Sequence, residues 1–256
     1  MPDLAAFQLR DQIAVVTGAA SGIGQALALG LADAGCHLAL ADLDAAGLAA
    51  TAEQVRARDR RALVVPTDVT QLAQLEALAA STQQAFGRID ILVTAAGWTG
   101  TTPAEAVTEA EYDRTADTLL RGTFFTCQAI GKVMLAQGRG KIITIGSTLA
   151  VTAFPGRAVY GALKAAVHQL TRCLATEWGP RGVYVNCVAP CITETPTRRN
   201  LFETPGYRDW ILREKLLTGR WAQPTDHVGA VLFLASPLSD MVLGHVLFVD
   251  GGWTIH

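Results

Sequence analysis

Short apolar runs alternate with longer segments of helical periodicity from one end of the chain to the other. Seven runs rich in aliphatic and β-branched residues predict strands at 13–16, 37–41, 62–65, 89–93, 141–145, 183–188 and 246–249. Helices are predicted between them at 23–34, 44–58, 70–86, 109–137 and 160–178, the third of them capped by Thr70. Strands that are apolar along their whole length and separated by helices are typical of a parallel sheet covered on both faces.

We therefore predict an α/β fold: a doubly wound parallel sheet of the Rossmann type, with about seven strands and helices on both faces. No repeat or linker interrupts the alternation, so a single catalytic domain is predicted over residues 1–256. One stretch, about 191–220, is broken by Pro196, Pro205 and Gly206 and is longer than an ordinary strand-to-helix loop. Long irregular segments of this kind are often functional, and we interpret this one as a substrate lid.

Composition narrows the range of partners. Half of the 256 residues are hydrophobic, 17% are charged, and the net charge is -2. Such a chain is not disordered, and it lacks the basic surface of a nucleic-acid-binding protein. No apolar run approaches the roughly 20 residues of a membrane-spanning helix, and the N-terminus lacks the apolar core of a signal peptide. We therefore expect a cytoplasmic protein that binds neither nucleic acid nor a membrane.

The five cysteines and five histidines show no spacing that would create a metal site or a disulfide framework. The chain contains no Cys-x-x-Cys pair and no His-Glu-x-x-His segment. These are the patterns that would indicate zinc ligation or a redox-active pair. We predict reduced thiols and no metal.

A glycine-rich turn follows the first predicted strand directly. Residues 17–24 read Thr-Gly-Ala-Ala-Ser-Gly-Ile-Gly. Glycines allow a tight turn and close approach of the backbone to a pyrophosphate, and the next helix offers its free N–H groups to the phosphates. Loops also collect glycine for other reasons, but the strand before and the helix after supply the required context. The turn therefore predicts dinucleotide binding by Gly18, Ser21, Gly22, Ile23 and Gly24.

Asp42 ends the second predicted strand, about twenty residues after the last glycine of the turn. A carboxylate there binds the ribose hydroxyls of NAD and repels the 2′-phosphate of NADP. The neighbouring residues Ala19, Ala20 and Leu43 are uncharged. We therefore assign Asp42 and Leu43 to the cofactor site and expect NAD rather than NADP. The alternative is that Asp42 caps the second helix, a role that Asp also favours.

Tyr160 and Lys164 are four residues apart at the start of a predicted helix, and Ser147 comes just after the fifth strand. Residues at i and i+4 share a helix face, so the ammonium can stabilise the phenolate and lower a tyrosine pKa that is ordinarily about 10. Such a tyrosine can exchange a proton with an alcohol or carbonyl oxygen, which Ser147 could hold. A Tyr-x-x-x-Lys string alone is also consistent with a plain surface pair. His168 is interpreted as a packed histidine rather than as a second base.

Taken together, these motifs resemble the short-chain dehydrogenase/reductase family in its classical type, over essentially the whole chain, and in particular its sugar and polyol dehydrogenases. The resemblance is carried by the glycine turn and by four further matches, which are Asp68-Val69 for the adenine, the set Ser147, Tyr160 and Lys164, Asn186 in the sixth strand, and Asp250-Gly251-Gly252 near the end.

The resemblance implies hydride transfer between NAD and a carbon of a small alcohol or carbonyl substrate, without a metal. It implies that Tyr160 handles the proton and that Lys164 also holds the nicotinamide ribose. Further cofactor contacts would come from Asp68, Val69, Ala96, Gly97, Pro190, Thr193 and Thr195. The family's usual assembly is a homotetramer, in which residues 115–136 and 162–175 would pack against a partner.

The chain departs from the family pattern in three motifs. Thr94-Ala95 stands where the family has Asn-Asn, and Leu119 stands where it has the Asn that anchors a proton-relay water. Proton exchange through Lys164 would then need another path. Cys191 replaces a glycine beside the expected nicotinamide pocket, either as a tolerated small side chain or as a reactive thiol.

The segments expected around the substrate carry both aromatic and basic side chains: Trp98, Phe154, Phe202 and Trp210, with Arg157, Arg198, Arg199, Arg208 and Arg213. Arginine forks suit carboxylate, sulfonate or phosphate groups, although exposed arginines often only solvate a surface. The closing segments resemble family members that act on sugars, so a sugar, polyol or anionic sugar is the expected substrate. Alternatives are a reductase of bulky apolar or aromatic ketones and a catalytically weak NAD-binding scaffold or sensor.

Overall fold

The computed structural model describes residues 7–98, 100–196 and 206–255, apart from the side chain of Arg208. Its seven strands are β1 (Ile13–Thr17), β2 (His37–Asp42), β3 (Ala62–Pro66), β4 (Ile91–Thr94), β5 (Gly140–Ile145), β6 (Val183–Pro190) and β7 (Val246–Val249). The α-helices of the described ranges are α1 (Gly22–Asp33), α2 (Ala45–Arg56), α3 (Leu72–Phe86), α4 (Glu109–Ala116), α5 (Gly122–Gln137), α6 (Ala158–Trp178), α7 (Tyr207–Glu214) and α8 (Val228–Ala235).

The strands form one parallel sheet in the order β3-β2-β1-β4-β5-β6-β7. Every neighbouring pair is parallel, as in the register Thr17 opposite Ala41 on one side and Thr94 on the other. The direction of winding reverses between β1 and β4: from β1 the chain proceeds outward through β2 to β3, and from β4 it proceeds the other way through β5 and β6 to β7. Ligands of open α/β sheets bind in the crevice that such a reversal leaves at the carboxyl ends of the strands.

The predicted doubly wound fold is confirmed by the two apolar layers that cover the sheet. One layer packs α1, α2 and α8 on the sheet through residues that include Leu27, Leu31, Leu48, Val55 and Leu234. The other packs α3, α5 and α6 through residues that include Leu75, Leu78, Ile130, Met134 and Leu174. Strand β1 is buried along its whole length because both layers cover it.

The long helix predicted at 109–137 is interrupted. Residues Asp117–Arg121 form a π-helical turn between α4 and α5, in which the Gly122 N–H donates to the Asp117 carbonyl. The pattern gave no sign of this turn, because apolar residues continue through it. Thr70 was wrong as a helix cap: Gln71 holds that position, and the Thr70 hydroxyl donates instead to Asp68 Oδ1 at 2.8 Å.

The stretch interpreted as a lid contains an ordered helix that the sequence pattern did not predict. Ile211 of α7 packs with Cys191, Leu216, Trp221 and Trp253 in a separate apolar cluster. Residues 197–205 lie outside the described ranges, as therefore do Arg198, Arg199 and Phe202. The lid assignment stays a prediction.

Within the described ranges, no helix is long and apolar enough to cross a membrane. In the same part of the chain, no three His, Cys, Asp or Glu side chains come together as a metal site would require. All five cysteines are free thiols, and Cys173 is the exposed one among them.

Candidate active site

A cavity of about 800 Å³ opens at the carboxyl ends of the strands, where the winding of the sheet reverses. It brings together every residue predicted for catalysis or cofactor binding: Gly18, Ser21, Gly22, Ile23, Gly24, Asp42, Leu43, Asp68, Val69, Ala96, Gly97, Ser147, Tyr160, Lys164, Pro190, Thr193 and Thr195. These residues follow six different strands, so parallel pairing of the strands is what gathers them.

The turn after β1 approaches the end of β4 so closely that it admits only glycine. Gly18 has a φ of +71°, and a Cβ on it would lie 2.7 Å from the backbone of Ala95 and Ala96. The Thr17 hydroxyl accepts a hydrogen bond from the Ala96 N–H at 3.3 Å and ties the two segments together. At the start of α1, the Ser21 side chain caps none of the first N–H groups. Those donors therefore remain for an anionic ligand in the cavity.

Asp42 is held at the end of β2 by two backbone donors. Its carboxylate accepts from the Ala20 N–H and from the Asp44 N–H, each at 3.1 Å. The alternative that Asp42 caps the next helix is wrong, because Asp44 holds the cap position of α2 and accepts from two N–H groups there. Beside it Leu43 is 72% exposed at the cavity's rim.

Asp68 and Val69 form the neighbouring wall of the same end. The Asp68 carboxylate accepts hydrogen bonds from the backbone N–H and from the hydroxyl of Thr70. The backbone N–H of Asp68 donates to Gln74 Oε1 at 2.7 Å. Val69 is buried and packs closely on Gly122, where a Cβ would lie 2.9 Å from Val69 Cγ2. Both residues are therefore fixed by local contacts of their own loop and of α5.

At the other end of the cavity, Ser147, Tyr160 and Lys164 lie together. Ser147 begins a short 3₁₀ turn after β5, and its Oγ accepts from the Leu149 N–H at 3.1 Å. Tyr160 lies in the first turn of α6 and Lys164 one turn later. Lys164 Nζ donates to the Ile145 carbonyl at 2.6 Å and lies 5.9 Å from the centroid of the Tyr160 ring. The ammonium is thus anchored to the sheet and directed at the tyrosine.

His168 lies one turn below this group and is packed rather than free to act as a base. Its Nε2 accepts from the backbone N–H of Ser147 at 3.4 Å, and its ring meets the edge of Phe248. Burial, together with the nearby cations Lys164 and Arg172, lowers the pKa of His168 to about 4. The neutral ring therefore acts as a structural acceptor beneath the serine.

Leu119 lies in the π-helical turn and is only 1% exposed. A Cβ on Gly97 would lie 3.3 Å from Leu119 Cδ2, so the leucine side chain packs directly against Gly97. This side chain offers no hydrogen-bonding group to a water molecule at that place.

Cys191, the second unusual position, is a buried thiol. It is 8% exposed, and burial, with the nearby Asp250 carboxylate, raises its pKa to about 12. A thiol with so high a pKa carries almost no thiolate at neutral pH, and the thiolate is the reactive form. The geometry favours the interpretation of Cys191 as a tolerated small side chain.

Thiol labelling tests this interpretation directly. In the native protein at pH 8, we expect a thiol reagent to leave Cys191 unmodified over a time in which every cysteine of the unfolded protein is modified, because the Cys191 thiol is buried. Peptide mapping after brief treatment with iodoacetamide gives the site of labelling. The Cys173→Ser variant, which lacks the thiol that is exposed on the single subunit, is the control and should show no labelling of the native protein. Rapid modification of Cys191 would restore the reactive-thiol alternative.

An aromatic wall closes the cavity beyond the serine and tyrosine. The ring of Phe154 lies 6.5 Å from that of Tyr207 and 6.4 Å from that of Trp253, measured between centroids, and all three residues line the cavity. Trp210, which was predicted to line the substrate pocket, does not line the cavity: it is 40% exposed, and its ring centroid lies 5.9 Å from that of Phe154. Tyr207 and Trp253 were not singled out in the sequence, since nothing local distinguishes them.

The arginines around the cavity differ from those expected. Arg157 lines it, but its guanidinium is buried and donates to the Gly100 carbonyl at 2.6 Å. Arg213 does not line it. Arg114, which the sequence pattern did not single out, does line it and lies 4.3 Å over the ring of Trp98.

Comparison with known proteins agrees with this arrangement. A family model described as enoyl-(acyl carrier protein) reductase, which belongs to the short-chain dehydrogenases/reductases, matches residues 18–254. This chain belongs to the short-chain dehydrogenase/reductase family. As a family member, it is an oxidoreductase that acts on CH–OH groups with a nicotinamide dinucleotide as cofactor.

Among its relatives in this family, the chain is 39% identical to the D-threitol dehydrogenase of Mycolicibacterium smegmatis over 97% of this chain and 95% of that protein. It is 38% identical to the gluconate 5-dehydrogenase of Gluconobacter oxydans over 99% of this chain and 98% of that protein. Among solved structures, a gluconate 5-dehydrogenase from Burkholderia cenocepacia in complex with NADP and tartrate aligns with a TM-score of 0.94 and 36% identity, over 99% of both chains.

Proposed function

We propose that the protein is an NAD-dependent dehydrogenase that interconverts a secondary alcohol and a carbonyl on a sugar, a polyol or an anionic sugar. The observation that carries the proposal is the single cavity that joins Asp42 at one end to Ser147, Tyr160 and Lys164 at the other. A dinucleotide is long enough to need a cavity that reaches both groups. Its adenosine would lie at the Asp42 end and its nicotinamide at the end with Ser147, Tyr160 and Lys164.

The residues present fit a dinucleotide. The glycine turn lies so close to the end of β4 that a Cβ on Gly18 would meet the backbone of Ala95 and Ala96. The uncapped start of α1 offers donors to a pyrophosphate. Asp42 accepts two backbone hydrogen bonds, so its carboxylate is held in place as an acceptor for ribose hydroxyls. When bound, the nicotinamide supplies the hydride acceptor or donor.

The chain's own residues would manage the proton. Tyr160 gives or takes it at the substrate oxygen, and the Lys164 ammonium, anchored on the Ile145 carbonyl, stabilises the phenolate that results. The Ser147 hydroxyl already accepts from the Leu149 N–H. Since a hydroxyl has one hydrogen and two lone pairs, its hydrogen stays available to the substrate oxygen. Ser147 would therefore hold that oxygen within reach of Tyr160.

Preference for NAD over NADP follows in this proposal from charge. Near Asp42 the cavity is lined by the glycine turn, by Leu43 and by residues 67–70, none of which is basic. A 2′-phosphate would therefore meet a carboxylate with no arginine or lysine to pair it. Three of the solved relatives carry NADP, so the two cofactors are compared directly in the assays below.

The substrate class is supported by the relatives that act on threitol and gluconate and by the wall of aromatic rings. The same wall favours a second candidate, the reduction of bulky apolar or aromatic ketones. A panel assay with NAD and NADP separates the two: polyols, sugars and sugar acids in the oxidative direction, aryl and alicyclic ketones in the reductive one. Turnover confined to the ketones would reject the sugar assignment.

Replacement of Asp42 tests the origin of the cofactor preference. In Asp42→Ala, we expect the ratio of kcat/KM for NAD to that for NADP to fall about tenfold or more, because the like-charge contact with the 2′-phosphate is gone. Asp44→Ala is the matched control, since Asp44 lies two residues away but caps α2 outside the cavity. That control should lose about 1 kcal/mol of stability and keep its preference. A wild-type enzyme that prefers NADPH would contradict the proposal.

Two further expectations remain proposals. A homotetramer would cover the face of α5 and α6, where Leu120, Phe124 and Leu170 border an apolar groove of about 410 Å³. A cytoplasmic location stays a prediction from the sequence.

A further inference from the structure

Three basic side chains line the cavity within the described ranges: Arg114, Arg157 and Lys164. Two of them are already engaged by the protein. The Arg157 guanidinium donates to the Gly100 carbonyl, and the Lys164 ammonium donates to the Ile145 carbonyl, each at 2.6 Å. Neither the family motifs nor the proposed proton transfer uses the third, Arg114.

The Arg114 guanidinium lies on an aromatic ring instead of pairing with a carboxylate. Its Cζ is 4.3 Å from the centroid of the Trp98 ring, and both residues line the cavity. Acidic residues stand three positions to either side, but Glu111 accepts from the Thr102 hydroxyl at 2.8 Å, and Asp117 forms no ion pair with the arginine. A ring contact covers one face of the planar guanidinium. The N–H groups at its edge have no hydrogen-bond partner among the residues that the structure describes.

Arg114 lies toward the end of the cavity that holds Tyr160. Helix α4, which carries Arg114, packs against α6, the helix of Tyr160. The arginine's partner Trp98 follows β4, whose neighbour β5 leads to Ser147. Asp42 ends β2, which is separated from β4 by β1. The guanidinium therefore borders the part of the cavity where the substrate oxygen would be held, rather than the adenosine end.

The chemistry of this side chain selects an anionic, planar group. The guanidinium fork matches the two oxygens of a carboxylate, and charged hydrogen bonds of this kind are stronger than those between neutral groups. Contact with Trp98 holds the fork in place, so less side-chain freedom is lost when a ligand binds. Resting on the proposed NAD-dependent dehydrogenase function, we propose that Arg114 binds the carboxylate of the substrate, so that sugar acids are preferred over neutral polyols of the same carbon chain.

Binding of matched ligands to the complex of enzyme and NADH tests this without turnover, because NADH cannot accept a hydride from an alcohol. The probes are two pairs, D-gluconate with D-glucitol and D-threonate with D-threitol, in which a carboxylate replaces a CH₂OH group. In at least one pair, calorimetry should show wild type binding the acid about tenfold more tightly than the polyol. Added salt should reduce this preference, because Arg114 is exposed.

Substitution of the arginine assigns the preference to its side chain. Arg114→Gln should lower the preference to about twofold or less and leave the affinity for the polyol unchanged, because only the charged fork is lost. The position is exposed and glutamine is a good helix former, so α4 is retained. Arg114→Lys keeps the charge without the planar fork and should retain only part of the preference.

Arg213→Gln is the matched control. Arg213 is also an exposed helical arginine, on α7, but it does not line the cavity. This variant should bind all four probes as wild type does. Persistence of the wild-type preference in Arg114→Gln would instead show that another group recognises the carboxylate, and the inference would be wrong.

The affinity for NADH distinguishes a substrate carboxylate from the cofactor's own phosphates as the anion that Arg114 meets. It should be equal in wild type and Arg114→Gln. A weaker affinity for NADH in the variant would mean that the guanidinium pairs with the pyrophosphate, and it would overturn the inference.

Activity with NAD separates failure of this inference from failure of the proposed function. If wild type oxidises polyols but binds neither acid more tightly than its matched polyol, the inference falls alone. If wild type binds no NADH and converts no alcohol of the panel, the proposed function falls and this inference falls with it.

Discussion

Tyr160→Phe is expected to lower kcat by about 10³-fold and to leave the affinity for NAD nearly unchanged. The substitution removes the one hydroxyl proposed to exchange a proton with the substrate oxygen, and general acid–base catalysis of this kind contributes roughly 10²–10⁴-fold. The ring itself, its place in the first turn of α6 and the Lys164 anchor on Ile145 all remain. The measurement is steady-state kinetics on the best substrate of the panel, with NAD binding followed separately.

Tyr184→Phe is a matched control for this result. Tyr184 also has a lysine near its ring, with Lys141 Nζ 4.7 Å from the centroid, but it lies on β6 outside the cavity. Its kcat should equal that of wild type. Unchanged turnover in Tyr160→Phe would contradict the proton-transfer role proposed for Tyr160.

Gly18→Ala should destroy the cradle for the pyrophosphate. Two costs add: a positive φ of +71°, and a Cβ only 2.7 Å from the backbone of Ala95 and Ala96. The atoms that the new Cβ would meet belong to the backbone, which cannot move aside as a flexible side chain could. The turn after β1 must therefore move away from the end of β4. We expect the free energy of unfolding to fall by about 2–4 kcal/mol and the affinity for NAD to fall about 100-fold.

Gly138→Ala isolates the backbone part of this effect. Gly138 has a φ of +70°, almost equal to that of Gly18, but a Cβ there would meet nothing within 4 Å. This control should lose only about 1 kcal/mol of stability and should bind NAD as wild type does. Thermal and denaturant unfolding, with calorimetric binding, measure both quantities. Equal behaviour of the two variants would contradict the close-approach argument.

Much of the site was predictable because its signals are local in the chain. The glycine turn, Asp42 and Ser147 each come directly after a predicted strand, and carboxyl ends of parallel strands meet at one edge of a sheet. Tyr160 and Lys164 are joined by a single helical turn. Once the alternation of strands and helices is recognised, these residues must lie near one another, and the cavity that they line is in the expected place.

Signals that depend on distant contacts were missed. Helix α8 (Val228–Ala235) is apolar throughout, so its pattern does not distinguish a helix from a buried strand. The π-helical turn around Leu119 interrupts a helix without a break in periodicity. Arg114 lines the cavity and lies over the ring of Trp98, whereas Arg157 donates a hydrogen bond to the Gly100 carbonyl. The spacing of the arginines in the sequence predicts neither contact.

The sequence by itself therefore determined the fold class and the family, and it predicted residues that the structure gathers in one cavity, because each rests on a short motif beside a strand or within one helical turn. Tertiary structure decided which aromatic side chains line the cavity, the burial that raises the pKa of the Cys191 thiol, and the packing of Leu119 against Gly97. Those features arise only when segments far apart in the chain pack together and exclude water, and no local pattern encodes that.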